Sequence, residues 1–379
     1  MSPPLPVASL AAAAPTPGSS VSAADIVLPA VVQVVQDAHG SIRDSRDGST
    51  HGPYDVTFEG SGFFVSGDGY IVTAAHIADP TAAELNDELS GPYIDELYNC
   101  DPSTASDQCA GVENAHHDEV VARTTAVDAG SVLHVLLQSM SPADTGMPAT
   151  LARSSRSPFL DVAVIKVDGH NEPVAVLAHA SPPRGAAVQV IGYPSTGNAD
   201  QTDQVPTVTS GSVLALPGPD PTSDIAAAAH LVEVDATIKD GDSGGPGVAA
   251  DGTVIGIVSY GNSDNDNFLV SPSDVAGIVA AVPVMNSLGP VDTAWREALH
   301  ADTAHDAATA VADYKRCAEL NSTVVQCRDR ATRSVPAGGP GAAGGVPFAL
   351  VVALLLTVAL LAGGAGFVLA RARRRTAGG

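Results

Sequence analysis

From about Asp25 to Val284 the chain is a succession of short apolar and β-branched runs separated by Gly, Pro, Asp and Ser. Examples are "VVQVVQ", "DVTFEGSGFFVS", "YIVTAAHI", "DVAVIKV", "AAVQVIGY", "PTVTSGSVLAL", "HLVEVDAT" and "TVIGIVSY". Many alternate with a period of two, the spacing of a strand that shows one face to a core. Gly67-Asp68-Gly69 falls between two such runs and reads as a hairpin turn. A strand cannot satisfy its backbone or cover its apolar face alone, so strands at this density over about 250 residues imply a barrel or sandwich pair.

Three stretches depart from this texture. Residues 80–118 are acidic, and "TAAELNDELSGPYIDELYNC" begins as a short helix with Glu84, Asp87 and Glu88 on its wet side. "SPSDVAGIVAAV" places Ser273 as the N-cap of a short helix. Further on, Ala304, Ala307, Ala308, Val311 and Tyr314 recur at helical spacing and run into Cys317. The four cysteines form two local pairs, Cys100 with Cys109 and Cys317 with Cys327, with eight and nine residues between partners. Neither spacing is that of a zinc site. Two short-range disulfides are the simplest reading, although four cysteines allow three connectivities.

Val346–Ala370 holds 25 residues without a charge, followed by Arg371, Arg373, Arg374 and Arg375. About 20 apolar residues span a bilayer, and the arginine cluster assigns the C-terminus to the cytoplasm and everything before Val346 to the outside. A buried core helix is shorter and lacks such a flank. An outside location suits disulfides. "LPVASLAAAAPTPGSSVSA" is small and apolar, and Val21-Ser22-Ala23 has the pattern of a signal-peptidase site. No basic residue precedes it and five prolines interrupt it, so a degenerate signal, an upstream start and a disordered leader all stay open.

Acidic groups number 42 against 18 basic ones, for a formal charge of −24. Such a surface repels phosphate backbones and argues against a nucleic-acid partner.

The chemistry concentrates in "KDGDSGGPGV", Lys239–Val248. Ser243 there is surrounded by glycines that carry no core-forming side chain. A serine hydroxyl becomes a nucleophile when a base takes its proton and donors receive the oxyanion. Glycines let the backbone curl so that the N–H groups of Gly241 and Ser243 converge. The base on offer is His76, at the end of "GSGFFVSGDGYIVTAAHI"; the orienting acid is Asp161, heading "LDVAVIKV" between Leu160 and Val162. A carboxylate shielded by apolar neighbours needs a partner, and a histidine N–H supplies one.

These motifs, with "VDATIKDGDSGGPGVAADGTVIGIVSYG" and "NFLVSPSDV", resemble the trypsin-like (chymotrypsin-fold) serine peptidases, more narrowly the HtrA/Deg-like bacterial branch. The order His76, Asp161, Ser243 is that of this fold and not of subtilisins or α/β-hydrolases. The resemblance covers about Ile26–Val284. It implies an all-β double six-stranded barrel; the residues beyond add a short helical segment and one C-terminal transmembrane helix to the expected fold. It also implies a serine endopeptidase hydrolysing a protein or peptide substrate through an acyl-enzyme. Ser243 would be nucleophile, His76 base then acid, Asp161 the orienter, and the Gly241 and Ser243 N–H groups the oxyanion hole. Ser259, Tyr260 and Gly261 would touch substrate backbone. Thr237 and Ile238 would sit at the primary pocket and favour a small or apolar side chain. The chain departs from the pattern in lacking an activation-cleavage site, so Asp242 lacks the freed N-terminus that usually pairs with it, and no PDZ-sized region follows.

The expected organisation is a leader at 1–24, a peptidase domain at 25–285 with the insertion near 80–118, and a disulfide-stapled helical segment at 286–330. A flexible stalk at 331–345, the membrane helix at 346–370 and a cytoplasmic tail at 371–379 follow. No cofactor or metal is expected: His116-His117-Asp118-Glu119 lies in a polar loop without a second ligand set, and Asn262–Asn267 lacks the glycine and terminal glutamate of an EF-hand loop. The rival reading is a cell-surface scaffold that keeps the fold and rarely cleaves. Oligomeric state is left open.

Overall fold

The period-two runs close into two barrels. The computed structural model describes residues 21–140, 144–157, 160–194, 205–216, 231–261 and 267–333. The first barrel comprises β1 (Val31–Asp44), β2 (Thr50–Phe64), β3 (Tyr70–Thr73), β4 (Thr124–Leu136), β5 (Met147–Ser157) and β6 (Leu160–Val167). The second comprises β7 (Ala187–Gly192), β8 (Thr207–Ala215), β9 (Leu231–Val234), β10 (Pro246–Ala249), β11 (Val254–Gly261) and β12 (Asn267–Val270). Going round the first, the strands run β1-β2-β3-β6-β5-β4; the second repeats that pattern as β7-β8-β9-β12-β11-β10. Neighbouring strands within each barrel pair antiparallel, and closure leaves no long edge.

Strand β6 shows why the pattern closes. Ala163 and Ile165 fill the interior of the first barrel with Val34, Phe64 and Ile71. Their neighbours Val162 and Val164 point the other way, into a shared cluster with Phe63, Ile191, Val248 and Ile257 from both barrels. Val188, Val190, Val232, Val234 and Ile255 fill the second barrel. Burying one such side chain contributes about 1.5–3 kcal/mol. The seam between the barrels is therefore an apolar core in its own right.

Helices correct several expectations. The chain is not purely β. The insertion forms two long antiparallel helices, α3 (Ala82–Tyr98) and α4 (Pro102–Arg123), following the one-turn α2 (Ala75–Ala78). His116 and His117 thus lie on a helix, not in a loop. Buried Leu89, Tyr93 and Ile94 pack α3 against Ile42 and Val120. The polar anchor is Asp44, buried and accepting hydrogen bonds from the Arg46 N–H and side chain, Tyr93 Oη (2.8 Å) and Arg123 Nε (3.1 Å). Burial alone would raise its pKa, but these donors together hold the carboxyl below the usual range.

After the barrels come α5 (Pro272–Val279), α6 (Pro290–Thr303), α7 (Ala307–Leu320) and α8 (Val325–Arg333). The cap of α5 is Ser271, whose Oγ accepts the Asp274 N–H, rather than Ser273: Pro272 takes the first helical position, where its missing N–H costs nothing. The anticipated single helix is broken at His305, with φ +59°, and restarted by Asp306, which caps the Thr309 N–H. As a result Ala304, Ala307 and Ala308 are exposed, and the face of α7 that packs is Ala310, Tyr314 and Cys317. At the other end, α1 (Ala23–Val27) is capped by Ser22, and Ala23 and Ala24 are buried, so the folded body begins before residue 25.

Both disulfides join the local partners, Cys100–Cys109 and Cys317–Cys327, with Cα separations of 5.5 and 5.8 Å. The C-terminal segment clasps the connection between the barrels. Asn286 takes the Leu177 N–H and donates to Val65 and Ala175 carbonyls, and Asp292 takes the Val174 N–H at 2.7 Å. Among the described residues no helix is long and apolar enough to cross a membrane; Val346–Ala370, the stalk beyond Arg333 and the basic tail lie outside the described residues.

Candidate active site

His76 lies on α2, directly after β3. The β2–β3 hairpin delivers it to the barrel seam, and small Ala74 and Ala75, both fully buried, let the turn sit close. Its Nδ1 stands 2.6 Å from Asp161 Oδ2, and its backbone N–H donates to Asp161 Oδ1 at 2.8 Å. Asp161 is at the head of β6, and its side chain is 9% exposed. A third donor reaches it from the other barrel: Ser259 Oγ–H, 3.0 Å from Oδ2. Burial works to raise the pKa of Asp161, but the histidine and serine hydrogen bonds outweigh it and hold the group below the ordinary carboxylate value.

Ser259, expected to touch substrate backbone, has a second contact that was not anticipated: its side chain braces Asp161. The register of β11 against β12 slips between Val258 and Tyr260, leaving Ser259 at a bulge where the strand re-aims a side chain. Tyr260 and Gly261 continue the strand opposite Phe268 and Asn267. Thr237 is exposed, and its carbonyl accepts from Thr209 Oγ1. Ile238 packs against the core of the second barrel, which turns at least part of that side chain away from a pocket.

The Ser243 loop is fastened to the same strand. Gly244 N–H donates to Val258 O (2.7 Å), and Val258 N–H donates to Gly245 O (2.9 Å). Across the seam, Ser61 N–H donates to Ser243 O at 2.7 Å, and Ser61 Oγ–H to Gly241 O at 2.7 Å. Gly241 and Gly244 have φ of +87° and +84°, which side chains with a Cβ rarely adopt. At Gly244 a Cβ would stand 2.3 Å from Ser61 O and 2.6 Å from Ala74 N, two residues before His76. Likewise a Cβ on Gly60 would meet both Ser243 O (2.9 Å) and Ile77 (2.8 Å). The loop around Ser243 is thus seated on the segment that carries His76. Among the described residues, the N–H groups of Gly241 and Ser243 have no protein acceptor, and Ser243 Oγ has no hydrogen-bond partner.

Asp242, between them, is buried. Its Oδ2 accepts the Lys239 N–H at 2.9 Å, while Oδ1 has no partner among the described residues. Burial pushes its pKa up. Next to it, Gly192 leaves the room that a Cβ would take from Oδ1.

A second serine–histidine–carboxylate chain, which sequence spacing did not single out, lies on the β1–β2 hairpin. Ser49 Oγ is 2.7 Å from His51 Nε2, and His51 Nδ1 is 3.2 Å from Glu96 Oε1 on α3. Ser49 Oγ–H, however, donates to Asp47 Oδ1 at 2.6 Å, and the Ser49 N–H goes to the same oxygen. As for metals, the described residues bring three potential ligands together only at Asp95, Cys100 and Cys109, where both sulfurs are committed to a disulfide. His116 stacks on Tyr98 (4.1 Å), and His117 faces Asp87 at 3.7 Å. Asn262–Asp266 of the acidic loop lies outside the described residues.

A family model described as the trypsin-like peptidase domain matches residues 60–257. The chain is 32% identical over 139 residues to serine protease Rv3671c of Mycobacterium tuberculosis strain H37Rv, and equally to serine protease MT3772 of strain CDC 1551. That alignment covers 36% of this chain and 34% of each relative, so the match spans about a third of their length. Among solved structures, the inactive form of Rv3671c protease aligns with 22% identity and a TM-score of 0.38, covering 69% of this chain and 92% of that one. The serine endoprotease of Yersinia pestis aligns with 22% identity and a TM-score of 0.39, covering 68% and 64%. With the family model spanning over half of the chain and its motifs at the barrel seam, this protein belongs to the trypsin-like serine peptidase family.

Proposed function

We propose that the chain is a membrane-anchored serine endopeptidase acting outside the cytoplasm, with Ser243, His76 and Asp161 as its triad. One observation carries the reading: a half-exposed imidazole is held through Nδ1 on a buried, ionised carboxylate, beside a glycine loop that presents a serine. Because Asp161 takes the proton-bearing Nδ1, the Nε2 of neutral His76 keeps a lone pair and can act as a base.

In the reaction, Nε2 takes the Ser243 hydroxyl proton as Oγ bonds to the substrate carbonyl carbon. The carbonyl electron pair moves onto oxygen, where the Gly241 and Ser243 N–H groups receive it. His76 then gives the proton to the leaving amine as the C–N bond breaks, and water repeats the sequence to free the acid. Ser259 holds Asp161, and Tyr260 and Gly261 offer backbone to an extended substrate. Thr237 stands where a peptidase for basic side chains would place an acid, which favours small or apolar ones. Val346–Ala370 supplies the single membrane pass, and the arginines after it hold the tail inside.

The test is a fluorophosphonate probe on the full chain in detergent. Ser243→Ala should abolish labelling and lower peptide cleavage by about 10³-fold or more; unchanged turnover overturns the assignment. A second reading, a binding protein with the same fold, is favoured by the absence of a Ser243–His76 hydrogen bond among the described residues. Free enzymes often show loose catalytic contacts, and labelling of the wild type separates the two readings.

A further inference from the structure

We propose that Arg156 is a positioning residue for the base, and that Glu84, at the root of the α3–α4 insertion, is the counter-ion that aims it. The inference rests on the triad reading above.

α2 is a single turn of four residues, too short to hold its own orientation. It is fixed at its end by Asp79, whose N–H caps Ala75 O at 2.8 Å. Asp79 is in turn held from β5 at two points. Its carbonyl accepts Arg156 Nη1 at 2.9 Å, and its Oδ2 accepts Ser154 Oγ at 2.5 Å. The guanidinium that holds Asp79 is itself locked by Glu84, which takes both Nη1 and Nη2. Glu84 also closes the capping box of α3, accepting the Thr81 N–H and Oγ1–H at 2.7 and 2.8 Å. Finally, Arg156 stands directly opposite Asp161 in the β5–β6 ladder. One planar fork therefore ties together the turn that carries His76, the strand partner of Asp161 and the first turn of the insertion.

Arginine suits this place because its fork reaches a carboxylate and a carbonyl in one plane; a lysine ammonium cannot hold both with that geometry. The pair is not deeply buried: the side chains are 22% and 36% exposed. At such exposure an ion pair adds little to stability, whereas a small misplacement of a catalytic group costs up to about 100-fold in rate. The effect of the pair belongs to the rate more than to the fold.

The test uses the full chain in detergent with a fluorophosphonate probe, separating the maximal labelling rate from the half-saturating concentration, alongside a thermal midpoint. Arg156→Ala should lower the maximal rate about tenfold or more, leave half-saturation within about twofold and barely move the midpoint. Glu84→Gln should act in the same direction, and Arg156→Lys should restore only part of the rate. A wild-type rate in Arg156→Ala, or a loss matched by unfolded protein, overturns the inference. Should the alanine variant not fold, a wild-type rate in Arg156→Lys overturns it equally. If Ser243→Ala keeps labelling, it is the triad reading that fails, independently of these variants.

Discussion

Two sets of serine, histidine and carboxylate can be compared in this molecule, and contacts alone favour the hairpin set, where the serine also meets its histidine. At the barrel seam, His76 lies 2.6 Å from Asp161; on the hairpin, His51 lies 3.2 Å from Glu96 and 2.7 Å from Ser49. The surroundings separate them. Asp161 is 9% exposed and shielded by two barrels, whereas Glu96 is 53% exposed and also bonded to Tyr54. Water screens a charge at the second place and not at the first. Ser49 already donates its hydroxyl hydrogen bond to Asp47, and its N–H is occupied too. Among the described residues Ser243 keeps its hydroxyl proton uncommitted, within a left-handed glycine loop. On the proposed reading, a triad depends less on three groups in contact than on a dry acid, a spare proton and free donors beside it.

The contrast breaks most easily at the serines. Ser243→Ala is expected to cost about 10³-fold or more in peptide cleavage, and Ser49→Ala less than twofold; steady-state rates with active-site titration measure both, and a large loss in Ser49→Ala would invert the comparison. Next come the acids. Asp161→Asn should lower kcat by about 10⁴-fold, because an amide leaves the imidazole in the wrong tautomer, while Glu96→Gln should leave kcat unchanged.

Within the seam the two buried acids differ in sign, which pH can read. Asp161 has a lowered pKa, so its contribution to stability is present above the ordinary carboxylate value near 3.8 and is lost as pH falls through the folded value. For Asp242 the pKa is raised: its contribution is complete below that ordinary value and is lost as pH rises through the folded one. Asp242→Asn should therefore gain in midpoint relative to wild type as the pH is taken from acid to neutral, by roughly 2–4 °C. A constant difference across that range would show that Asp242 does not titrate. The smallest effect belongs to the hairpin root. Tyr93→Phe removes one donor from Asp44 and should cost about 1 kcal/mol in chemical denaturation, with cleavage unchanged.

Much of the site was legible along the chain because catalysis imposes local demands. The glycines around Ser243, the alanines before His76 and the apolar flanks of Asp161 each have a chemical reason visible within ten residues. The insertion was less legible. Its buried face mixes Asn86, Ser90 and Gly91 with Leu89, Tyr93 and Ile94, and Pro92 sits inside α3, so the apolar stripe that marks a helix is faint. The pattern in Ala304–Tyr314 misled in the opposite way: alanines at helical spacing fit a wet face as well as a dry one. The brace from Ser259 to Asp161, the role of Arg156 and the hairpin chain gave no signal, since each involves a residue tens of positions away.

The order of residues by itself determined that the central region would be strands turning every few residues, and it named the three side chains that the proposed reading makes catalytic. Both follow from local physics: a strand shows its burial in alternate residues, and a strained loop shows itself in glycine. Only the tertiary structure decided that Ser259 would reach Asp161 from the other barrel. It also decided that Asp242 Oδ1 would have no partner among the described residues and that Arg156 would link Asp79, after the turn of His76, to Glu84 of the insertion. Those are distances between residues far apart in the chain. They are set by strand register and by the packing of one barrel on another, neither of which is written in any single stretch.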